Sequence, residues 1–265
     1  MNESPEQHWD KRAGTYWEEQ NRAESFRCIL ENPRRAFPNE FYEMLESAFP
    51  TLNGVKVLVP SSGDNLAVFA LHLLGAEVTS TDISQKQLDN ARRIAGENNW
   101  KIKFVRVDSK ELTGLPENEF DLVFTSYGVC DWINDLTAMY SAFSRVLKKN
   151  GVYIFFENQP LKSIFAGRKD TGLTILQPYN IEFSMDNIFR FWKIEDYIRS
   201  LLKAGFIITD YRDILRCKDA IPDLAIKNRS FAEREERGYK EYNWRKNIWA
   251  AMPAWFSICA KKSTQ

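Results

Sequence analysis

The chain has 265 residues, with 36 Lys and Arg balanced by 36 Asp and Glu. That length supports one sizeable core, and zero formal charge speaks against a nucleic-acid protein built on a basic face. A hydrophobic share of 44% beside 27% charged residues excludes wholesale disorder. The cysteines (28, 130, 217 and 259) are far apart, and the only histidines are His8 and His72. Without a CxxC pair no metal site is expected, and no disulfide framework. The N-terminus MNESPEQHWDKR lacks the apolar stretch of a secretory signal, and no run approaches the roughly 18 apolar residues of a membrane span. These features predict a soluble cytoplasmic protein with neither a membrane nor a nucleic-acid partner.

In chain order, residues 1–50 read as a helical cap. QHWDKRAGTYWEEQ (7–20) carries Trp9, Arg12, Tyr16 and Trp17, and residues 39–49 turn Phe41, Leu45 and Phe49 inward. A regular alternation follows over 51–160. VKVLVP (55–60) is a short apolar run bounded by turn residues and reads as a strand buried on both faces. Residues 64–75 read as a helix ending at Gly75, EVTSTD (77–82) as a strand, and 84–99 as a helix capped by Ser84. KIKFVRVD (101–108) and FDLVFTS (120–126) are strands, 136–149 a helix stopped by Asn150-Gly151, and VYIFFE (152–157) a fifth strand. Residues 160–192 are aromatic without a clear period, which suits a lid or binding loop. Over 193–265, residues 192–204 read as a helix, FIITDYRD (206–213) as a sixth strand and AWFSICAKK (254–262) as a seventh. SFAEREERGYKEYNWRK (230–246) mixes both charge signs and reads as a solvated helix.

Strands alternating with helices predict an α/β fold: a doubly wound, mostly parallel, seven-stranded sheet in a single domain. In such sheets ligands bind at the carboxyl ends of the strands. Those ends carry Ser61, Ser62 and Gly63, then Asp82 and Ile83, then Asp108 and Ser109, then Ser126 and Tyr127, and finally Glu157. The first loop, PSSGDN, has one glycine where a nicotinamide-binding loop has three and lacks the Gly-Lys-Ser/Thr of a P-loop. Asp82 is placed to accept hydrogen bonds from a ribose diol, and Asp108 to accept from an adenine amine.

The series VKVLVPSSGDN, LGAEVTSTDIS, KFVRVDSKEL, FDLVFTSYGV and RVLKKNGVYIFFE resembles the class I, Rossmann-like S-adenosylmethionine-dependent methyltransferases, of the small-molecule type. The resemblance is closest over residues 9–160. It implies S-adenosylmethionine as cofactor, S-adenosylhomocysteine as product, and a seventh strand antiparallel between strands five and six. The chain departs from the family's first motif: Val59 stands at the acidic position, Ser61 at the first glycine and Asn65 at the last. By resemblance, Tyr16, helped by Arg12, covers the methionine carboxylate.

The implied reaction is an in-line displacement on the sulfonium methyl, with a base needed only for a protonated acceptor. His8, Tyr127 and Glu157 are candidates for that base, as is Asp131. Asn158-Gln159-Pro160 follows the wrong strand for an amino-methylating N-P-P-Y motif and is set aside. The expected acceptor is a small molecule, methylated on N or O, beneath the 160–192 segment, where Tyr179 and Trp192 are candidate contacts. A S-adenosylmethionine-binding protein without transferase activity, or a NAD-dependent oxidoreductase, are the alternatives.

Overall fold

The computed structural model describes residues 4–13, 15, 22–168, 172–183, 189–215, 245 and 248–263. Tyr16, Trp17, Cys217 and the 230–246 segment apart from residue 245 lie outside these described residues.

A seven-stranded sheet forms the middle layer. Its strands are β1 (Lys56–Val59), β2 (Glu77–Asp82), β3 (Lys103–Arg106), β4 (Phe120–Thr125), β5 (Leu147–Asn158), β8 (Phe206–Ile214) and β9 (Trp255–Lys262). They lie in the order β3-β2-β1-β4-β5-β9-β8. All neighbours pair parallel up to β5, and β9 is antiparallel to both β5 and β8. The expected seventh strand is therefore β9, inserted between strands five and six. A hairpin, β6 (Phe165–Arg168) with β7 (Gly172–Ile175), opens the segment after β5.

Helices cover both faces. On one side lie α2 (Arg22–Glu31), α3 (Asn39–Ala48), α4 (Leu66–Leu73) and α5 (Gln85–Glu97); on the other lie α6 (Leu136–Val146) and α7 (Ile194–Lys203). Helix α4, LAVFALHL, is apolar almost all round, so it needs cover on every side. The sheet supplies one wall and α2 the other, with Phe26 against Phe69 at 5.8 Å. Helix α3 seats Phe41 on Phe124 and Phe156 at 5.0 and 5.4 Å. On the opposite face Tyr153 stacks on Phe155 at 5.0 Å, and Tyr197 meets Phe256 at 5.0 Å. Successive β5 residues thus feed opposite layers, as period-two geometry requires.

The helix expected over 136–149 ends at Val146, and β5 begins at once with Leu147. The buried Leu147 pairs with Phe120, whereas Val152 pairs with Leu122, so residues between them bulge out of register. Asn150 takes φ +63°, and a Cβ on Gly151 would sit 2.9 Å from the Lys148 carbonyl oxygen. The Asn-Gly pair therefore shapes a bulge within the strand and does not stop the helix.

The loop after β3 is clamped by Arg145. Its guanidinium donates to the carbonyls of Leu115, Glu111 and Leu112 at 3.0, 3.1 and 2.9 Å. Replacing Arg145 with alanine removes charge-assisted bonds that contribute about 1.5–3 kcal/mol. The thermal midpoint should fall by several degrees, and the amides of Glu111, Leu112 and Leu115 should exchange faster by hydrogen-exchange mass spectrometry. Unchanged exchange in that loop would show that the clamp does nothing. Among the described residues, no helix is long and apolar enough to cross a membrane.

Candidate functional site

The carboxyl ends of β1, β2, β3, β4 and β5 meet where the strand order reverses beside β1, the place at which doubly wound sheets take ligands. The turn after β1 is built from side-chain bonds. Ser61 has φ +49°, a left-handed backbone that costs a non-glycine residue about 1–3 kcal/mol. Its hydroxyl lies 2.6 Å from that of Ser109, on the Arg145-clamped loop. Ser62 donates to the Val59 carbonyl and meets the Ser80 hydroxyl at 2.9 Å, while its N–H donates to Thr81 O, which ties the turn to β2. Asn65 caps α4 through Ala67 N and gives its amide N–H to the Ser126 hydroxyl at 2.8 Å. Asp64 accepts from Asn90 at 2.7 Å.

Gly63 has φ +46°, and a Cβ there would meet Cβ of Gln87 at 2.9 Å, so glycine is required by both backbone and space. Gln87 is buried, and neither its amide oxygen nor its nitrogen has a hydrogen-bond partner among the described residues.

Asp82 ends β2. Its carboxylate accepts from Ser84 N at 2.8 Å and is also held by the N–H groups of Gly63 and Ile83. Burial pushes its pKa up to about 6 against those bonds. Asp108 accepts from Lys110 N at 2.8 Å. Half-buried Ile83 receives the Arg106 guanidinium on its carbonyl.

Helix α1 (Pro5–Arg12) lies across these ends, started by a Ser4 and Gln7 capping box. Asp10 accepts from the Ser84 hydroxyl at 2.5 Å, and Glu6 pairs with Arg106 of β3. His8 and Trp9 reach Trp132, in the turn after β4, at 4.7 and 5.6 Å between ring centres. Phe189 also meets Trp132, edge to face, at 4.9 Å. The helix therefore spans from β3 to the β4 turn, held midway by Ser84, two residues past Asp82.

Of the acceptor-side candidates, Glu157 is fully buried and accepts from the N–H groups of Gly128 and Cys130 at 2.7 and 3.0 Å. Burial first, then the Asp131 charge, raises its pKa, and burial raises that of Asp131 as well. Asn158 donates to the Asp131 carboxylate at 3.4 Å. Tyr127 lies half-buried against Phe156 and Trp255. Trp192 spends its indole N–H on the carbonyls of Cys130 and Ile133, with Arg190 over its ring at 4.2 Å. Tyr179 is exposed. The structure thus draws together Ser61, Ser62, Gly63, Asp82, Ile83, Ser109 and Ser126 around the β1 turn, with His8 across the mouth. It sets Glu157 behind the β4 turn. Trp132 and Gln87 belong to the site's construction and carried no motif signal in the sequence, and Arg145 opens the RVLKKNG motif without the motif announcing its clamp on the β3 loop. An open cleft of about 540 Å³ lies elsewhere, near Phe49, Lys149 and Lys261, and no strand-end residue lines it.

Residues 58–155, which contain the β1 turn and the acids of β2 and β3, match the family described as Methyltransferase domain. The chain is similar to the uncharacterized methyltransferase YbaJ of Bacillus subtilis, 25% identical over 62% of this chain and 70% of that protein. It is also similar to the ubiquinone biosynthesis O-methyltransferase of Pelagibacter ubique, 31% identical over 46% of this chain, an alignment that spans 50% of that enzyme. The fold matches a crystal structure of a S-adenosylmethionine-dependent methyltransferase from Mesorhizobium loti, with TM-score 0.62 and 18% identity over 83% of this chain and 97% of that one. The residues present fit that cofactor: a buried strand-end carboxylate for a diol, a tight turn that only glycine fits at its centre, and an orphaned amide beneath it. These findings decide against the oxidoreductase alternative. Residues 58–155 thus carry a methyltransferase domain, and the chain has the fold of the class I, Rossmann-like S-adenosylmethionine-dependent methyltransferases.

Proposed function

We propose that this chain methylates an N or O atom of a small, largely apolar or planar molecule. The observation that carries this reading is the gathering of His8, Trp9, Trp132 and Phe189 beside the β4 turn, next to the cofactor end of the sheet. Aromatic walls with few polar groups suit small ligands. The name of the Pelagibacter relative, an O-methyltransferase of ubiquinone biosynthesis, points the same way. The balanced charge gives no reason to expect a phosphate backbone in the site.

In this reading Asp82 holds the ribose and Asp108 the adenine, with Ser61, Ser62, Gly63, Ser109 and Ser126 around the rest of the cofactor. Tyr16 is assigned to the cofactor by resemblance. When bound, the cofactor supplies an electrophilic methyl, which the acceptor's lone pair takes in line as the carbon–sulfur bond breaks. The chain's own residues bind, orient and exclude water. His8, Tyr127 and Asp131 stand on the acceptor side as bases for an acceptor that arrives protonated. Glu157 serves by fixing the β4 turn that carries Asp131 and Trp132. Residues 160–192 act as the lid, with Trp192 anchoring it to that turn and Tyr179 on its surface.

The test is methyl transfer from labelled S-adenosylmethionine to a panel of phenols, catechols, amines and carboxylic acids, run beside tRNA, DNA and protein. Trp132→Ala should raise the acceptor KM at least tenfold and leave S-adenosylhomocysteine affinity unchanged. Label entering only polymers would refute the proposal. So would a Trp132→Ala enzyme that lost cofactor and acceptor binding equally.

A further inference from the structure

The open cleft lies on the α3 face of the sheet, at the amino ends of β4 and β5. The length of β4 separates it from the cofactor turns, on the order of 15 Å at the usual strand rise. Helix α3 stops at Ala48, and beyond it the cleft opens over β5, β9 and β8. Met44, Ala48 and Phe49 form its apolar wall, and Val152 and Cys259 its floor. Val152 pairs with Lys261 and Lys261 with Ile207, so these three share one face of the sheet. Ile207 is 56% exposed on the edge strand, which extends the apolar floor to the rim.

Two irregularities of the sheet bring charge to this floor, as bulges do when they re-aim side chains. Residues 148–151 have no register partner on β4 or β9, and Lys148 and Lys149 line the cleft from that bulge. β8 shifts register between Ile208 and Asp210, and Asp210 lines the opposite side. The two acids are committed to their own partners. Asp121 accepts from Lys148 Nζ at 2.7 Å and from Lys56 N at 3.0 Å, and Asp210 accepts from Arg212 Nε at 3.0 Å. Lys149 and Lys261 are exposed and pair with no acid among the described residues. Two uncompensated cations therefore stand over an apolar floor, around about 540 Å³, a volume that suits a small ligand.

We propose that this cleft is a second ligand site, which takes a small anion with an apolar body: a carboxylate or phosphate ester whose head lies between Lys149 and Lys261 and whose body covers Phe49, Val152 and Ile207. Neither half of that chemistry suffices alone. Exposed lysines attract a bare anion weakly, because water and salt screen them. An uncharged apolar body gains only from burial and leaves the two cations without a partner. A cation is repelled by both lysines, since the acids that could hold it are already paired. The site stands apart from the cofactor and acceptor positions and does not depend on either.

The experiment is titration calorimetry of the full chain with octanoate, phenyl phosphate and octylammonium, with and without S-adenosylhomocysteine. At least one of the two anions should bind once per chain, equally in both conditions, and octylammonium should not bind. Octanoate alone would assign the site to acids on an aliphatic chain, and phenyl phosphate alone to compact phosphate esters. Lys149→Glu combined with Lys261→Glu should weaken the bound anion at least tenfold and leave the thermal midpoint unchanged, since both side chains are exposed. Ala48→Trp fills the cleft without altering its charge and should weaken the same anion. Failure of both anions to bind would overturn the proposal. So would binding that survives the double charge reversal, binding displaced by S-adenosylhomocysteine, or octylammonium binding as tightly as octanoate.

Discussion

Replacing Asp82 with asparagine should weaken S-adenosylhomocysteine binding tenfold to a hundredfold without lowering the thermal midpoint of the free protein at pH 7.5. The affinity loss follows from the charge-assisted bonds proposed between Asp82 and the ribose hydroxyls, each such bond contributing about 1.5–3 kcal/mol. The stability expectation follows from burial. Asp82 is 8% exposed, and desolvation lifts its pKa from 3.8 to about 6 even though three backbone N–H groups favour the charged form. A carboxyl whose folded pKa is raised binds its proton more tightly in the folded chain. Its contribution is therefore most favourable below the ordinary value and is lost as pH rises from 3.8 through about 6. At neutral pH the ionised group costs the fold on the order of 3 kcal/mol, a cost that asparagine avoids while keeping one acceptor oxygen. Ligand binding has the opposite pH dependence, because the diol prefers the ionised acceptor. Wild-type affinity should hold from pH 7.5 to about 6 and then fall about tenfold by pH 5, where only about a tenth of the carboxyl is ionised. Asp82→Asn should flatten that profile. Calorimetry across this range checks both, and a wild-type affinity that is flat down to pH 5 would remove Asp82 from the ribose site.

The cofactor half of the site is legible in the sequence because local chemistry fixes it. A run rich in β-branched residues, Val78, Thr79 and Thr81, ending in an acid and followed by Ser84 as helix cap, places Asp82 at a strand end whatever the rest of the chain does. The same holds for Gly63, whose turn sits between a buried strand and an apolar helix. The acceptor half depends on contacts between distant segments, which periodicity does not report. Trp132 lies in the short turn CDW, and its partners are His8 far upstream and Phe189 far downstream. Glu157 illustrates the limit of strand reasoning. It shares a face with Tyr153 and Phe155, but β5 is apolar on both sides, so alternation alone does not say which helical layer receives the carboxyl. Leu147 joined the strand and not the preceding helix because its burial against β4 outweighs the helical pattern of the residues before it. Tyr179, chosen for its aromatic ring, is exposed, and Trp192 is anchored by two carbonyls that no sequence pattern announces.

Glu157→Ala should be the most destabilising of these changes. The carboxyl bridges Gly128 N and Cys130 N, and Cys130 is fully buried. Alanine strands the buried Cys130 N–H, at about 1–3 kcal/mol for the unsatisfied group, and removes the acceptor of the partly buried Gly128 N–H as well. The midpoint should drop on the order of 10 °C for a chain of this size, and the β4 turn should lose its hold on Asp131 and Trp132. Glu157→Gln keeps an acceptor for one of the two donors and should fall between alanine and wild type near neutral pH. The pH dependence separates this account from simple loss of volume. Burial and the Asp131 charge raise the folded pKa of Glu157, so its stabilising contribution is complete below the ordinary carboxylate range and declines as pH rises through the raised value. Wild-type stability should therefore decline from weakly acid to alkaline pH, while the glutamine variant, which has no proton to lose there, should narrow the gap as pH rises. Scanning calorimetry of the three proteins at pH 5.5, 7 and 8.5 reads both effects. A constant gap between glutamine and wild type across that range would mean that Glu157 stays ionised throughout and that its burial is compensated by a partner other than the turn.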